Sequence, residues 1–290
     1  MTDAFPRTIL VLGATGMLGN AVLRFLSGDP RFEVYGTARS AGTVSLLPKE
    51  LHERVLTGVD GEQPDSLARA LARTQPDVVI NCIGLIKQLS ESEDPLSALP
   101  INSILPHRLQ RLCAVRGARL VHVSTDCVFS GLEGGYREAD VPDAKDLYGR
   151  SKLLGEVDYP NAVTLRTSII GHELGRSQAL IGWFLAQEAR VKGFRKAIFS
   201  GLPTVELARV IRDHVLPNSD LRGLYHVSAE PIAKYDLLKL VADVYGKMIE
   251  IVPDDSVSID RSLNSDRFRL ATAYSPPAWP TLITQMHEFG

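Results

Sequence analysis

Through the first half of the chain, apolar residues come in short unbroken runs, at residues 8–12, 32–37, 54–56, 78–82, 119–123 and 162–166. Most of the intervening segments repeat their apolar positions at helical spacing. A strand covered by helices on both faces reads as a continuous Val/Ile/Leu run, so this pattern predicts an α/β fold built on a doubly wound parallel sheet. Beyond Arg166 the rhythm loosens. Helices are predicted over 177–192, 204–216 and 231–245, with a strand over 223–227. The stretches 253–258 and 276–280 read as turn-rich. The chain thus divides into a main part, 1–168, and a smaller C-terminal lobe, 169–290, some of whose segments return to the main part. No repeat or flexible linker separates the two.

Composition narrows the partners. The 32 basic residues nearly balance the 34 acidic ones, which gives no electrostatic footprint for nucleic acid or an anionic membrane and favours a small-molecule ligand. No run reaches the roughly 18 to 20 apolar residues of a spanning helix, and residues 1–7 lack a signal-peptide pattern, so a cytoplasmic protein is expected. Cys82, Cys113 and Cys127 have no metal-ligand spacing. They read as free thiols, with no metal implied.

The first strand runs into Gly13-Ala14-Thr15-Gly16-Met17-Leu18-Gly19, and the following helical pattern includes Leu18, Val22 and Phe25. Glycines allow a tight turn and close approach of backbone, while a helix N-terminus offers free N–H groups to a pyrophosphate. This strand-turn-helix at the start of an alternating chain predicts dinucleotide binding by a Rossmann fold over 1–168. At the end of the second strand no acidic residue stands ready for a ribose 2′-hydroxyl. Arg39 and Ser40 offer donors for a 2′-phosphate instead, which selects NADP(H). Asp60 is placed to accept from the adenine, or equally to act as a turn residue. Asn81, Cys82, Ile83 and Gly84 leave the fourth strand where the backbone must skirt the cofactor.

Tyr148 and Lys152 stand four apart at the start of a helical pattern, hence on one face. There the ammonium is expected to lower the phenol's pKa. Ser124 and Thr125 leave the fifth strand at the edge where ligands of parallel sheets collect. The roles expected for reduction of a carbonyl are hydride from NADPH, a proton from Tyr148, orientation by Thr125, and tuning of Tyr148 and binding of the ribose by Lys152.

Gly13-x-x-Gly16-x-x-Gly19, Ser124-Thr125-Asp126-Cys127-Val128-Phe129, Tyr148-Gly149-x-Ser151-Lys152-x-x-Gly155-Glu156 and Arg166-Thr167-Ser168 resemble the extended short-chain dehydrogenases/reductases. Within them the chain is most similar to the dTDP-4-dehydrorhamnose reductase family, and weaker likeness continues through Gly201-Leu202-Pro203-Thr204, Gly223-Leu224-Tyr225-His226 and Leu263-Asn264. The resemblance implies a nucleotide-diphosphate 6-deoxy-4-ketosugar substrate, NADPH as donor and a place in the synthesis of cell-surface polysaccharide precursors. It further implies that Arg166, Thr167 and Ser168 approach cofactor and sugar, with Asp126 and Cys127 beside them. A homodimer is compatible with it. The sequence departs from the pattern at Ile169, where tryptophan is usual, at Cys127, where tyrosine is common, and before Leu263, where Arg-Pro is missing.

Two alternatives stand beside plain reduction. In GDP-fucose synthases a cysteine at the offset of Cys127 works with a histidine on the loop after the sixth strand; His172 lies on that loop one position early, so an epimerase-reductase is the rival enzyme. A cofactor-binding regulatory subunit, like that of methionine adenosyltransferase, is the rival outside catalysis. The glutamate of the dehydratases is replaced by Cys127, which disfavours dehydration. Glu138, Asp140 and Asp143 read as solvated loop charges, and His107, His122 and His226 as ordinary core or surface histidines. Trp183 and Phe184, in a predicted second-lobe helix, serve either packing or the sugar-nucleotide site.

Overall fold

The computed structural model describes residues 6–87 and 90–290; the first five residues, part of the stretch read above for a signal peptide, lie outside the described residues. Seven parallel strands form the central sheet. They are β1 (Arg7–Leu12), β2 (Phe32–Thr37), β3 (Val55–Leu56), β4 (Val78–Asn81), β5 (Arg119–Thr125), β6 (Ala162–Thr167) and, after the short pair partner β7 (Ile169–Ile170), β8 (Arg190–Phe199) and β9 (Leu202–Pro203), the late strand β10 (Gly223–His226). Their spatial order is β10-β6-β5-β4-β1-β2-β3. All six apolar runs of the first half are strands of this sheet, with β1 and β4 almost wholly buried. The order reverses between β1 and β4, and such a switch point opens a crevice at the carboxyl ends of the strands.

The helix Met17–Ser27 turns Leu18, Ala21, Val22 and Leu26 inward, while Pro64–Thr74 and Leu105–Arg116 cover the other face, where Leu67, Leu71, Leu105 and Leu109 pack with β1 and β4. Two layers of helix on one sheet account for the continuous apolar runs.

The smaller lobe holds a three-stranded sheet in the order β11-β8-β12, with β11 at Ile232–Ala233 and β12 at Glu250–Asp260. Here the sequence expectations fail in part. The predicted helix 177–192 is a short helix, Leu180–Leu185, followed by β8, and the predicted turns at 253–258 lie within β12. In β8, Val191, Gly193, Ala197 and Phe199 face inward; the signal is an irregular alternation bounded by charges, and pairing with β12 decides it. The β12 pairing is offset between Asp254 and Ser258, where Pro253 and the acidic pair gave the turn signal. Two helices not foreseen, Asp266–Thr272 and Trp279–Phe289, close the lobe. The helices foreseen at 204–216 and 231–245 are present as Thr204–Val210, continued by Ile211–Val215, and as Lys234–Val244. Among the described residues no helix is long and apolar enough to cross a membrane.

Candidate active site

The turn after β1 is as tight as its glycines suggest. Gly13 has φ +76°, and a Cβ on Gly19 would lie 2.0 Å from the Gly13 carbonyl oxygen. The Ala14 N–H donates to the Thr37 carbonyl at 2.9 Å, tying the turn to the end of β2. Gly16 caps Met17–Ser27 without a side-chain bond, and no acid sits in the first turn. The N–H groups of residues 17 to 19 therefore form a positive helix end at the switch point. Thr15 is half-buried, whereas Arg39 and Ser40 after β2 are exposed. Among the described residues Arg39 has no ion pair.

Asp60 is occupied as a turn residue: its Oδ1 accepts from the Glu62 N–H at 3.0 Å, and its backbone is bound by Ser66 Oγ. Asn81 is buried and faces inward, its Nδ2 donating to His122 Nδ1 at 3.1 Å and its Oδ1 accepting from the Ile83 N–H. What the segment 82–84 offers a ligand is backbone; the Cys82 N–H is held by the Leu12 carbonyl, beside the glycine turn.

Thr125 and Thr167 face each other in register at the carboxyl ends of β5 and β6. Thr125 Oγ1 accepts from the Cys127 N–H and donates to Asp126 Oδ1, both at 3.1 Å, and so caps the short helix Asp126–Val128. Asp146 caps the helix Leu147–Leu154 by accepting from the Gly149 N–H at 2.8 Å, and Lys87 clamps that carboxylate at 2.8 Å. Gly149 packs against the Cys127 carbonyl with no room for a Cβ. This contact brings Tyr148 to Thr125.

Burial holds the Tyr148 phenol above its ordinary pKa, with Cys127 adding to the rise and the Thr125 hydroxyl opposing it. The direction is opposite to the lowering expected from Lys152: desolvation is the largest cause and raises it. A phenol so placed stays protonated, the form a proton donor needs. Lys152 is itself lowered to about 8 by burial, against the pull of Glu156 and Cys82. Its Nζ donates to the Val123 carbonyl at 3.0 Å and stands 3.7 Å from where a Cβ on Gly84 would be, so it spans β5 and the segment after β4. Buried Asn102, which the sequence reading missed, joins Leu85 N–H to Ser151 Oγ beside it.

Arg166 departs from expectation. It is 2 % exposed and lies under the site: Nε and Nη2 donate to Glu156 at 2.9 and 2.6 Å, and Nη1 donates to His226 Nε2 at 3.0 Å. Ser124 Oγ also donates to Glu156, at 2.7 Å. Glu156, seen only as the last letter of a motif, is the acceptor that gathers these groups. His226 passes the network on, donating through Nδ1 to the Tyr136 carbonyl and through its N–H to Glu138. Glu138 is accordingly not a solvated charge.

His172 is elsewhere. Its Nε2 meets the Tyr245 hydroxyl at 2.8 Å and its ring lies against the C-terminal helix, whereas Cys127 neighbours Asp126, Gly149 and Tyr148. The structure does not bring the two together. Burial pushes the Cys127 thiol up to about 12, with Asp126 adding to it, which makes it a poor thiolate. Thr167 Oγ1 donates to the Ser168 carbonyl, and Ser168 accepts the Leu202 N–H. Trp183 is 39 % exposed while Phe184 is core.

A switch-point crevice, a glycine turn at a helix end, and a half-buried tyrosine four residues before a buried lysine beside a strand-end threonine define an extended short-chain dehydrogenase/reductase fold. The chain belongs to the RmlD substrate binding domain family, whose model matches residues 7–266. It is similar over 99% of both chains, with TM-score 0.80 and 20% identity, to a dTDP-4-dehydrorhamnose reductase of Bacillus anthracis in complex with NADP. A hypothetical dTDP-4-dehydrorhamnose reductase of Sulfolobus tokodaii aligns with TM-score 0.74 and 25% identity over 94% of this chain and 98% of that one. Among curated relatives, the methionine adenosyltransferase 2 subunit beta of Danio rerio is 28% identical over 82% of this chain and 74% of its own length. The probable low-salt glycan biosynthesis reductase Agl14 of Haloferax volcanii is 28% identical over 90% of this chain and 85% of its own.

Proposed function

We propose that the protein reduces the 4-keto group of a nucleotide-diphosphate 6-deoxysugar with NADPH, supplying precursors of surface polysaccharide. The carrying observation is the gathering of Thr125, Tyr148 and Lys152 at the sheet edge beside the Gly13 turn. The reductase relatives of Bacillus anthracis and Haloferax volcanii support the reaction class, and the NADP in the former supports the cofactor.

The residues fit a dinucleotide. Gly19 has no room for a Cβ and Gly13 takes a left-handed φ, the uncapped helix end suits a pyrophosphate, and exposed Arg39 suits a 2′-phosphate. When bound, the nicotinamide supplies the hydride. Tyr148 gives its phenolic proton to the carbonyl oxygen as it becomes an alkoxide, and the Thr125 hydroxyl donates to that same oxygen. Lys152, four residues on along the same helix, is the cation available to favour the phenolate left behind. Glu156 and Arg166 position the strand ends from below.

The decisive experiment is a panel of nucleotide-4-ketosugars, generated in place by dehydratases, with NADPH consumption followed and products resolved. Turnover of none of them would remove this reading. The subunit-beta relatives favour a second one, a regulatory subunit that binds NADP; it predicts NADPH binding without consumption. Thr125, Tyr148 and Lys152, all present and gathered, weigh toward turnover.

Two further outcomes follow from the site. Arg39→Ala is expected to weaken NADPH by about 1.5 to 3 kcal/mol and NADH far less, because only NADPH offers the 2′-phosphate; equal losses in a fluorescence titration would count against the assignment. In D₂O with unlabelled NADPH, on a substrate already in its final ring configuration, the product is expected to carry no deuterium on carbon. The separation of Cys127 from His172 and the high thiol pKa both oppose exchange there. Carbon-bound deuterium that disappears in Cys127→Ser would instead establish the epimerase-reductase.

A further inference from the structure

The amino ends of the parallel strands frame a second concave surface, at the end of the sheet opposite to Thr125. Arg7 opens β1, Asp77 precedes β4, Arg119 opens β5, Pro160 and Asn161 precede β6, and Ser219 lies before β10. Together they line a groove of about 520 Å³, within the roughly 300 to 1,000 Å³ of small-molecule sites. The length of β5, Arg119–Thr125, puts it about 20 Å from the reaction site.

Two guanidiniums stand side by side in this groove. Arg7 Nη1 donates to the Leu216 carbonyl at 2.7 Å, while Arg119 donates through Nη1 to the adjacent Val215 carbonyl at 2.7 Å and through Nη2 to the Leu221 carbonyl at 2.5 Å. These acceptors are neutral. The carbonyls of Val215 and Leu216 close the continued helix 204–215, whose negative end offsets part of the charge. Among the described residues neither arginine has an ion pair, and Asp77, the carboxylate of the groove, spends Oδ2 on the Thr8 N–H at 2.8 Å. Arg119 is 9 % exposed; burial, with Arg7 adding to it, lowers its guanidinium to about 10. It therefore stays charged at neutral pH. A buried cation beside a second cation is costly until an anion joins them. Arg7 Nε and Nη2, Arg119 Nε and the Ser219 hydroxyl make no hydrogen bond among the described residues, so donors for that anion are left over.

We propose that this groove is a second ligand site and takes a phosphorylated small molecule, its phosphate between Arg7 and Arg119. Planar forks match phosphate oxygens, and two of them supply the positive charge that a phosphate monoester balances near neutrality. Ser219 adds a hydroxyl donor, and the groove along Pro160 and Asn161 leaves room for the organic part. Asp77 disfavours a second anionic group, so a monophosphate fits better than a polyphosphate. The ligand shares no residue with the glycine turn or with Thr125, Tyr148 and Lys152, and it binds alongside NADPH.

The test is titration calorimetry of the full chain, saturated with NADP⁺, against ribose 5-phosphate and dTMP, with chloride at matched ionic strength as the control. At least one of the two monoesters is expected to bind saturably, and which one binds tells a sugar from a nucleoside as the organic part. Arg7→Gln, which keeps a donor for the Leu216 carbonyl, should weaken that binding roughly 10-fold or more, and Arg119→Lys, which keeps the charge and loses the fork, by less. NADPH affinity should stay within about twofold in each variant, as expected of a distant site, and this certifies folding. If Arg119→Lys fails that check, Ser219→Ala replaces it, again with a weaker monoester expected. Saturable binding of neither monoester by a protein that binds NADPH overturns the inference, as does a response that chloride reproduces. Wild-type monoester affinity in Arg7→Gln overturns it too, because the phosphate would then sit elsewhere.

Discussion

Tyr148→Phe is expected to lower turnover by roughly 10² or more while leaving NADPH affinity nearly unchanged. The substitution keeps the ring that fills the space between Thr125 and Cys127 and removes only the hydroxyl. A group that stays protonated through neutral pH is available as a donor at every working pH, so the loss should appear in kcat rather than KM. The measurement is steady-state NADPH oxidation on a reduced ketosugar panel, paired with cofactor titration. A variant that kept most of its kcat would move the proton to another group, Thr125 or solvent.

Glu156→Ala is expected to cost about 3 to 5 kcal/mol of stability, because it strands the buried charge of Arg166. The carboxylate takes two bonds from that guanidinium, at 2.9 and 2.6 Å, and one from Ser124 at 2.7 Å. Urea unfolding followed by circular dichroism reads the change as a lower midpoint at unchanged slope. Glu156→Gln keeps an acceptor and should fall between. A loss under about 1 kcal/mol would mean that Arg166 finds another partner, and would reopen the expectation that it faces the cofactor.

The parallel sheet was readable because its strands are buried on both sides and need no partner information to be seen. The glycine turn and the Tyr148–Lys152 pair were readable for a related reason: their chemistry fixes local spacing. The direction of the Tyr148 shift was not, since burial depends on how Gly149 packs against Cys127, a contact between segments about twenty residues apart. Arg166 misled because a charged residue at a strand end looks like a ligand contact, and only Glu156 and His226 show it turned inward. Strands β8 and β12 were missed for a different reason. Each has weak alternation of its own, and each is a strand because the other lies beside it.

The seventh strand has a consequence for how the chain can be made and cut. Strand β10 seals the β6 edge only after the chain has passed through β7, β8 and β9, and it brings His226 to Arg166. A fragment ending at residue 168 would carry all the glycine-turn and Tyr-Lys chemistry, yet present an open row of backbone donors and acceptors along β6 and a guanidinium short of one partner. Exposed edges of that kind recruit other chains. During synthesis the sheet must therefore wait for more than fifty further residues before its last edge closes, and pairing over so long a separation is slow. The nascent main lobe is an obligate client of its own downstream sequence, so soluble expression should depend on residues far from the cofactor.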